Sequence, residues 1–463
     1  MPIAQFSGLA SGIDSKALID AIIEARELVN EKRKAEVEHL TSETDALEEL
    51  NTKLLALNDL IDPLRTANAG GLSKRAASSD PTVGTAIVGS NANNASYNIT
   101  VTSIANSSTG SFDNSYTTAT DFVSTAGSGN VTLTVGLGAE QVIINAAVTQ
   151  NSTTLDQLVL AINNDPNAAG RVAASVVNVG TTASPSYKLM FTSLQQGTSS
   201  GTLALAADAA ITELSGLATV DPATDAVFSL DGVTGSVTRD SNTVDDVISG
   251  ITFNLLKAGT TTISIGNDAD TTADKMDEIV SAFNEIVEFV NENDTLTRDS
   301  ESRDGNVIYG SLAKTRIDND FLAFFRSNIS AATAAGGTSV TSMSELGLST
   351  NRDGTITFDP DTFKEAVGDD PVGVGQVLNS FADAAAGVSG SIYQFTKLQG
   401  FIDIGVESNN SEITNINEAI AALERQTAKQ REGLERQFSN LESVTSRLQS
   451  SQSALSGILA GLG

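Results

Sequence analysis

Apolar residues near the start of the chain recur at helical steps. Leu18, Ile22, Ala25 and Val29 are three and four apart, which predicts a helix over 15 to about 65 with Asp14 as its N-cap. After a break in the pattern, Leu40, Leu47, Leu54 and Ile61 fall seven apart, and Leu50, Leu57 and Leu64 form a second row offset by three. These are the two apolar rows of a coiled coil. Asp62-Pro63 marks a kink or its end. The far end repeats the pattern. Ile413, Ile420, Thr427, Leu434, Leu441, Leu448, Leu455 and Leu462 recur every seven residues, interrupted only by Thr427. The companion row of Ile416, Leu423, Gln430, Gln437, Val444, Ser451 and Ile458 is weaker. No single helix can bury such a stripe alone. The two end helices are therefore expected to pack together and against other copies. Leu40, Leu47, Leu54, Ile420, Leu434, Leu441, Leu448 and Leu455 are the expected assembly contacts, with Leu47 and Leu54 opposite Leu434, Leu441 and Leu448. Packing within one chain is the alternative role for the same side chains.

Between the ends the period changes to two. Tyr97, Ile99 and Val101 alternate with Asn98, Thr100 and Thr102, the pattern of a strand with one buried face. Similar runs lie at 130–135, 141–145, 171–179, 187–192, 226–230, 251–256 and 261–265, separated by Gly- and Ser-rich connectors. Short helices are expected at 155–163, capped by Thr154 or Thr153, and at 244–248. Helical spacing returns at 273–291, 312–329, 360–367 and 372–386, with a turn at Asn351-Arg-Asp-Gly354 leading into a strand at 355–358.

Composition narrows the chemistry. The 463 residues carry 27 basic and 57 acidic side chains, a net charge of -30. That argues against binding nucleic acid or anionic membranes, which require a basic face. With no Cys, disulfides, thiol catalysis and Cys-ligated zinc are excluded. With one His, acid–base chemistry by imidazole would rest on His39 alone, and His39 reads as part of a solvated helix face. Among so many carboxylates chance pairs are unavoidable, so no enzyme, cofactor or metal site is expected. Asp353-Gly354 with Asp359-Pro-Asp361 lacks the spacing of a calcium loop and reads as a hairpin turn. No secretory signal and no membrane-spanning run are expected, yet the Ser-, Thr- and Asn-rich middle looks extracellular. A dedicated export route would reconcile the two.

The expected fold class is multidomain α+β. Residues 1–45 and 411–463 form coiled-coil legs, 46–77 and 271–410 a helical or mixed inner domain, and 78–112 with 213–270 a β-rich head domain. Residues 113–212 form an outer β-rich head domain inserted into it.

Four blocks make a resemblance specific. Phe6-Ser-Gly-Leu-Ala-Ser-Gly-Ile-Asp14, with Phe6, Gly8, Leu9, Ser11, Gly12 and Asp14 as its motif positions, resembles the opening signature of the flagellar filament cap family, hook-associated protein 2. Phe228-Ser-Leu-Asp-Gly-Val followed by Arg239-Asp-Ser-Asn-Thr-Val-Asp-Asp-Val-Ile-Ser-Gly-Ile-Thr-Phe-Asn-Leu255 is similar to its internal block. Leu346-Gly-Leu-Ser-Thr-Asn-Arg-Asp-Gly-Thr-Ile-Thr-Phe-Asp359 resembles the next. Thr154 to Asn163, with the strands after it, looks like a repeat shared by flagellin and cap-protein outer domains. The resemblance implies an exported structural protein at the flagellar tip that promotes folding and insertion of flagellin and prevents its loss to the medium. It also implies partners: copies of itself in a ring, taken as a pentamer, flagellin, the hook–filament junction protein, and an export chaperone at the C-terminal helix. An adhesin for surface glycans is the alternative.

Overall fold

A computed structural model describes residues 14–65, 71–214, 218–298, 307–334 and 336–460. The chain divides into two compact units, residues 72–272 and the remainder on either side.

The first helix, α1 (Ser15–Ile61), is continuous. Asp14 caps it, its carboxylate accepting the Ala17 N–H at 3.0 Å. The expected break after Val29 is absent. Leu18 and Val29 are 46% and 48% exposed, whereas Ile19 and Ile23 are buried. The buried stripe runs through Ile19, Ile23, Asn30, Leu40, Leu47, Leu54 and Ile61. Asn30 sits in it without interrupting the helix, and that polar position is what the sequence pattern registers as a break.

Residues 72–272 form a β-rich unit of two lobes. The inner lobe begins with β1 (Lys74–Ser78), β2 (Gly84–Val88) and β3 (Ala95–Ser103). The chain then builds the outer lobe from β4 (Thr109–Phe112), β5 (Gly129–Val135), β6 (Val142–Val148), α2 (Leu155–Asn163), β7 (Val172–Asn178) and β8 (Tyr187–Ser193). A short α3 (Gly197–Ser200), β9 (Leu203–Ala207) and β10 (Ala218–Asp221) complete it. The chain returns through β11 (Ala226–Leu230), β12 (Val237–Arg239), β13 (Thr243–Ile248), β14 (Ile251–Leu255) and β15 (Gly259–Asn267). The inner sheets run β1-β15-β3-β11-β12 and β13-β14-β2, and the outer ones β10-β4-β8-β7 and β6-β5-β9, with every described pairing antiparallel. Each lobe buries its own core. Ile99, Val101, Phe228, Phe253 and Ile263 pack in the inner one, and Phe112, Val131, Leu133, Leu158 and Phe191 in the outer. α2 carries the expected cap. Thr154 Oγ1 accepts the Gln157 N–H while the Gln157 side chain accepts the Thr154 N–H.

One expectation fails here. Residues 244–248 form not a helix but most of β13, paired with β14 around a register shift between Val244 and Ile248. The run is too short for helical period to outweigh its β-branched residues and an available partner strand.

The rest of the helical unit comprises α4 (Ala269–Asn293), the hairpin β16 (Leu296–Arg298) and β17 (Val307–Tyr309), and α5 (Ile317–Ala331). A second hairpin, β18 (Leu348–Thr350) and β19 (Ile356–Phe358), precedes α6 (Pro360–Asp369), α7 (Pro371–Ala386), α8 (Ser391–Thr396) and α9 (Phe401–Ala460). The sequence pattern starts α5 at Leu312, but that residue is buried in a turn and the helix begins five residues later. The core is aromatic. Phe283 of α4 stacks on Phe325 of α5 with centroids 4.6 Å apart, and Phe381 and Phe395 close on the cluster edge-on.

Candidate assembly surface

α1 and α9 run antiparallel, as four ties show. Asn30 Nδ2 donates to the Ile420 carbonyl at 3.5 Å, Arg33 to the Ala419 carbonyl at 3.3 Å, and Ser15 Oγ to Glu442 at 3.3 Å. Arg431 forms an ion pair with Asp20. This direction decides what each heptad residue touches. Leu47 lies beside Gly405, where an added Cβ would come within 3.3 Å of the Leu47 side chain and 2.6 Å of Ile317. Leu47 and Leu54 are therefore not opposite Leu434, Leu441 and Leu448, as the sequence alone suggested. An antiparallel register carries them to the other end of the pair. Leu40, Leu47 and Leu54 are core residues of the helical unit, the latter two with no exposed surface.

Along α9 the seven-residue row changes character. Ile420 and Thr427 are buried and Leu434 is half-buried. Leu441, Leu448 and Leu455 are 50%, 64% and 63% exposed, and Val444, one helical turn from Leu441 and Leu448, is 56% exposed. Every residue from 446 to 457 is exposed. The described part of α1 begins at the level of Glu442, so α9 runs on past it with its apolar stripe outward. On α1 a second apolar strip, Leu18, Ala25, Leu28 and Val29, faces outward. Ala25, Leu28 and Val29 line a groove with Arg33 and Ile416. The sequence pattern places Leu18 and Val29 in its helical row and leaves Leu28 outside it. The signal that could have found them is the second row, Ile19 and Ile23, one position on. Phe6, Gly8, Leu9, Ser11 and Gly12 lie outside the described residues.

Charged and titratable groups where α5 meets α1 are held by burial and pairing. His39 is not on a solvated face. Its ring tilts against Tyr309 at 6.3 Å, and its Nε2, 3.8 Å from Glu43, has no hydrogen-bond partner. Burial, then the Lys314 charge, lowers its pKa, against opposing pulls from Glu43 and Glu36. Lys314 pairs with Glu36 at 2.9 Å and lies over the Tyr309 ring. Asp318, in the first turn of α5, is fully buried with an unpartnered Oδ1. Burial pushes its pKa up to about 6. Among the described residues no group of three His, Asp or Glu side chains is arranged to hold a metal ion. No described helix is long and apolar enough to cross a membrane.

The turn at Asp353 is a hairpin, as expected. Its carboxylate accepts the Thr355 N–H at 3.0 Å and hydroxyl at 2.7 Å, and Gly354 takes φ +88° between β18 and β19.

The model of the flagellar hook-associated protein 2 N-terminus matches residues 11–108, and that of its C-terminus matches residues 223–450. Together they span about seven-tenths of the chain, and the unmatched stretch between them contains the outer lobe. The A-type flagellar hook-associated protein 2 of Pseudomonas aeruginosa is 26% identical over 98% of this chain and 97% of its own length. The B-type protein of that species is also 26% identical, but the match covers 52% of this chain and about half, 51%, of that relative. The Campylobacter jejuni flagellar hook-associated protein 2 is 28% identical over 79% of this chain and 62% of its own. The crystal structure of the D1-D2-D3 domains of the Escherichia coli flagellar cap protein FliD superposes with TM-score 0.57 at 21% identity. It covers 79% of this chain and 99% of that one, and it shows a shared fold.

Proposed function

This chain belongs to the flagellar hook-associated protein 2 family, and from that premise we propose that it caps the distal end of a flagellar filament. There it promotes folding and insertion of exported flagellin and prevents subunits from escaping to the medium. It is a structural protein, acting outside the cell at the filament tip. Its partners are copies of itself in a ring, flagellin, the hook–filament junction protein and, before export, a chaperone at the C-terminal helix. Residues 1–45 and 411–463 serve as legs.

The observation that supports the reading is the stripe Leu441, Val444, Leu448 and Leu455 on α9, which no other described residue covers. A cap must hold the filament end and release it at each insertion. A row of single leucines on one exposed helix provides many weak contacts in place of one rigid interface. Each side chain buried on docking contributes about 1.5–3 kcal/mol, and the row can disengage piecewise. The adhesin alternative finds no support in the relatives described above.

The test is a strain lacking the gene, with flagellin in the medium measured as free monomer and as assembled filament. Abundant monomer with short or missing filaments is the expected result. Normal filaments would refute the capping role.

A further inference from the structure

The outward charges of the α1–α9 pair are sorted into rows by sign. On α1, Asp20, Glu24, Glu27 and Glu31 recur at steps of four, three and four, which puts four carboxylates on one face. On α9, Arg425, Lys429 and Arg436 follow at steps of four and seven and form a basic row. The members at the ends are paired within the chain. Asp20 holds Arg431, Glu31 holds Lys34 at 3.2 Å, and Arg436 holds Glu432. The members between them are not. Glu24, Glu27, Arg425 and Lys429 are all exposed. Among the described residues none of the four forms an ion pair or a side-chain hydrogen bond. Like charges three or four apart destabilise a helix. Each helix therefore carries a local penalty that no described residue offsets.

We propose that these rows are the two halves of a contact between neighbouring copies, with Glu24 and Glu27 of one copy facing Arg425 and Lys429 of the next. The proposal rests on the ring of copies proposed above and names a surface through which adjacent helix pairs meet. Three features select a second copy as the occupant. The signs are complementary, two free carboxylates against two free cations. The heights match. Asp20 meets Arg431 and Asn30 meets the Ile420 carbonyl, so Glu24 and Glu27 stand level with residues 423–427 of α9. Arg425 falls inside that stretch and Lys429 just beyond it. The directions differ. Arg425 and Lys429 lie on the side of α9 away from the buried Ile420 and Thr427, while the acidic row lies on the flank of α1 where Asp20 reaches Arg431. One copy therefore does not close the contact on itself. Complementary rows at one height that face different ways make a head-to-tail contact, and rotation about an axis along the helices closes such contacts into a ring. Exposed ion pairs are individually weak. The contact accordingly aligns neighbours and selects them, and it does not hold the ring alone.

The absence of Cys makes the test specific. The full-length Glu27→Cys, Arg425→Cys double variant is treated in solution with a short bifunctional maleimide. Each copy presents both halves, so the denaturing gel should show a ladder of dimers, trimers and larger species. Variants with only one of the two cysteines should give nothing beyond dimers. Independently, sedimentation of Glu24→Lys, Glu27→Lys should show association weakened by about tenfold with a melting curve like the parent's. Adding Arg425→Glu and Lys429→Glu to that variant should restore association, which a merely structural role of these side chains would not do. A double-cysteine variant that stops at monomers or dimers, or a four-fold charge swap that fails to restore association, overturns the proposal. Both measurements use the purified chain without flagellin, so this contact and the capping role tested in the deletion strain can fail separately.

Discussion

The same seven-residue repeat is written at both ends of this chain and is used in two ways. On α1 the row Leu40, Leu47, Leu54 and Ile61 is buried, the last three completely. On α9 the row Leu441, Leu448 and Leu455 is at least half exposed. Residue type and spacing are alike. What differs is the surroundings, since the α1 row sits within the helical bundle and the α9 row runs past the described start of α1. A heptad repeat therefore reports that a stripe needs covering and does not report what covers it. One end is the chain's own core, and the other is exposed among the described residues.

The largest expected effect would break this comparison if it failed. Leu54→Ala should cost about 2–5 kcal/mol of stability, as removal of a fully buried leucine does. Chemical denaturation measures it, and a loss under about 1 kcal/mol would remove the α1 row from the core. Next is Asp318, buried in the same unit with its pKa raised to about 6 from 3.8. The folded state holds the proton more tightly than the unfolded one. The resulting stabilisation is complete below about pH 4 and is lost as pH rises through 6. Asp318→Asn should therefore be more stable than the parent at pH 7.5, by about 1–3 kcal/mol, and lose that advantage near pH 4. A pH-independent difference would contradict the burial of an ionisable carboxyl there.

The smaller effects sharpen the exposed side. The Arg431–Asp20 pair has both side chains more than two-fifths exposed, so Asp20→Ala should cost about 0.2–1 kcal/mol and less in high salt. A loss above about 2 kcal/mol would mean that this part of the helix pair is core. Leu448→Ala should change stability by less than about 0.5 kcal/mol, since its side chain is already in water. Equal losses for Leu448→Ala and Leu54→Ala would erase the distinction between the two rows.

Much of the fold was legible because its signals are local. Thr154 with Gln157 marks the start of α2, Asp353-Gly354 marks a hairpin, and alternation marks β5, β7, β8 and β11. What was not legible depends on partners far away in sequence. Whether Ile19 or Leu18 faces inward follows from where α9 lies. The strand state of Val244 follows from β14. The half-burial of His39 follows from Tyr309, more than 250 residues on. The heptad row was legible as a repeat, but its division into core and open surface was set by the antiparallel register of α1 and α9. Asn30 is polar yet buried in that seam with no sequence signal of burial, whereas Thr427, also polar and buried, is marked only by its place in the seven-residue row.

The most direct test of the division is a full-length variant with Leu441→Ser, Leu448→Ser and Leu455→Ser, supplied to a strain lacking the native gene. Its own export and melting profile are checked alongside, and secreted flagellin is measured as monomer and as filament. The account predicts an exported variant that melts like the parent and leaves flagellin in the medium as monomer. Normal filaments from a normally folded variant would contradict it.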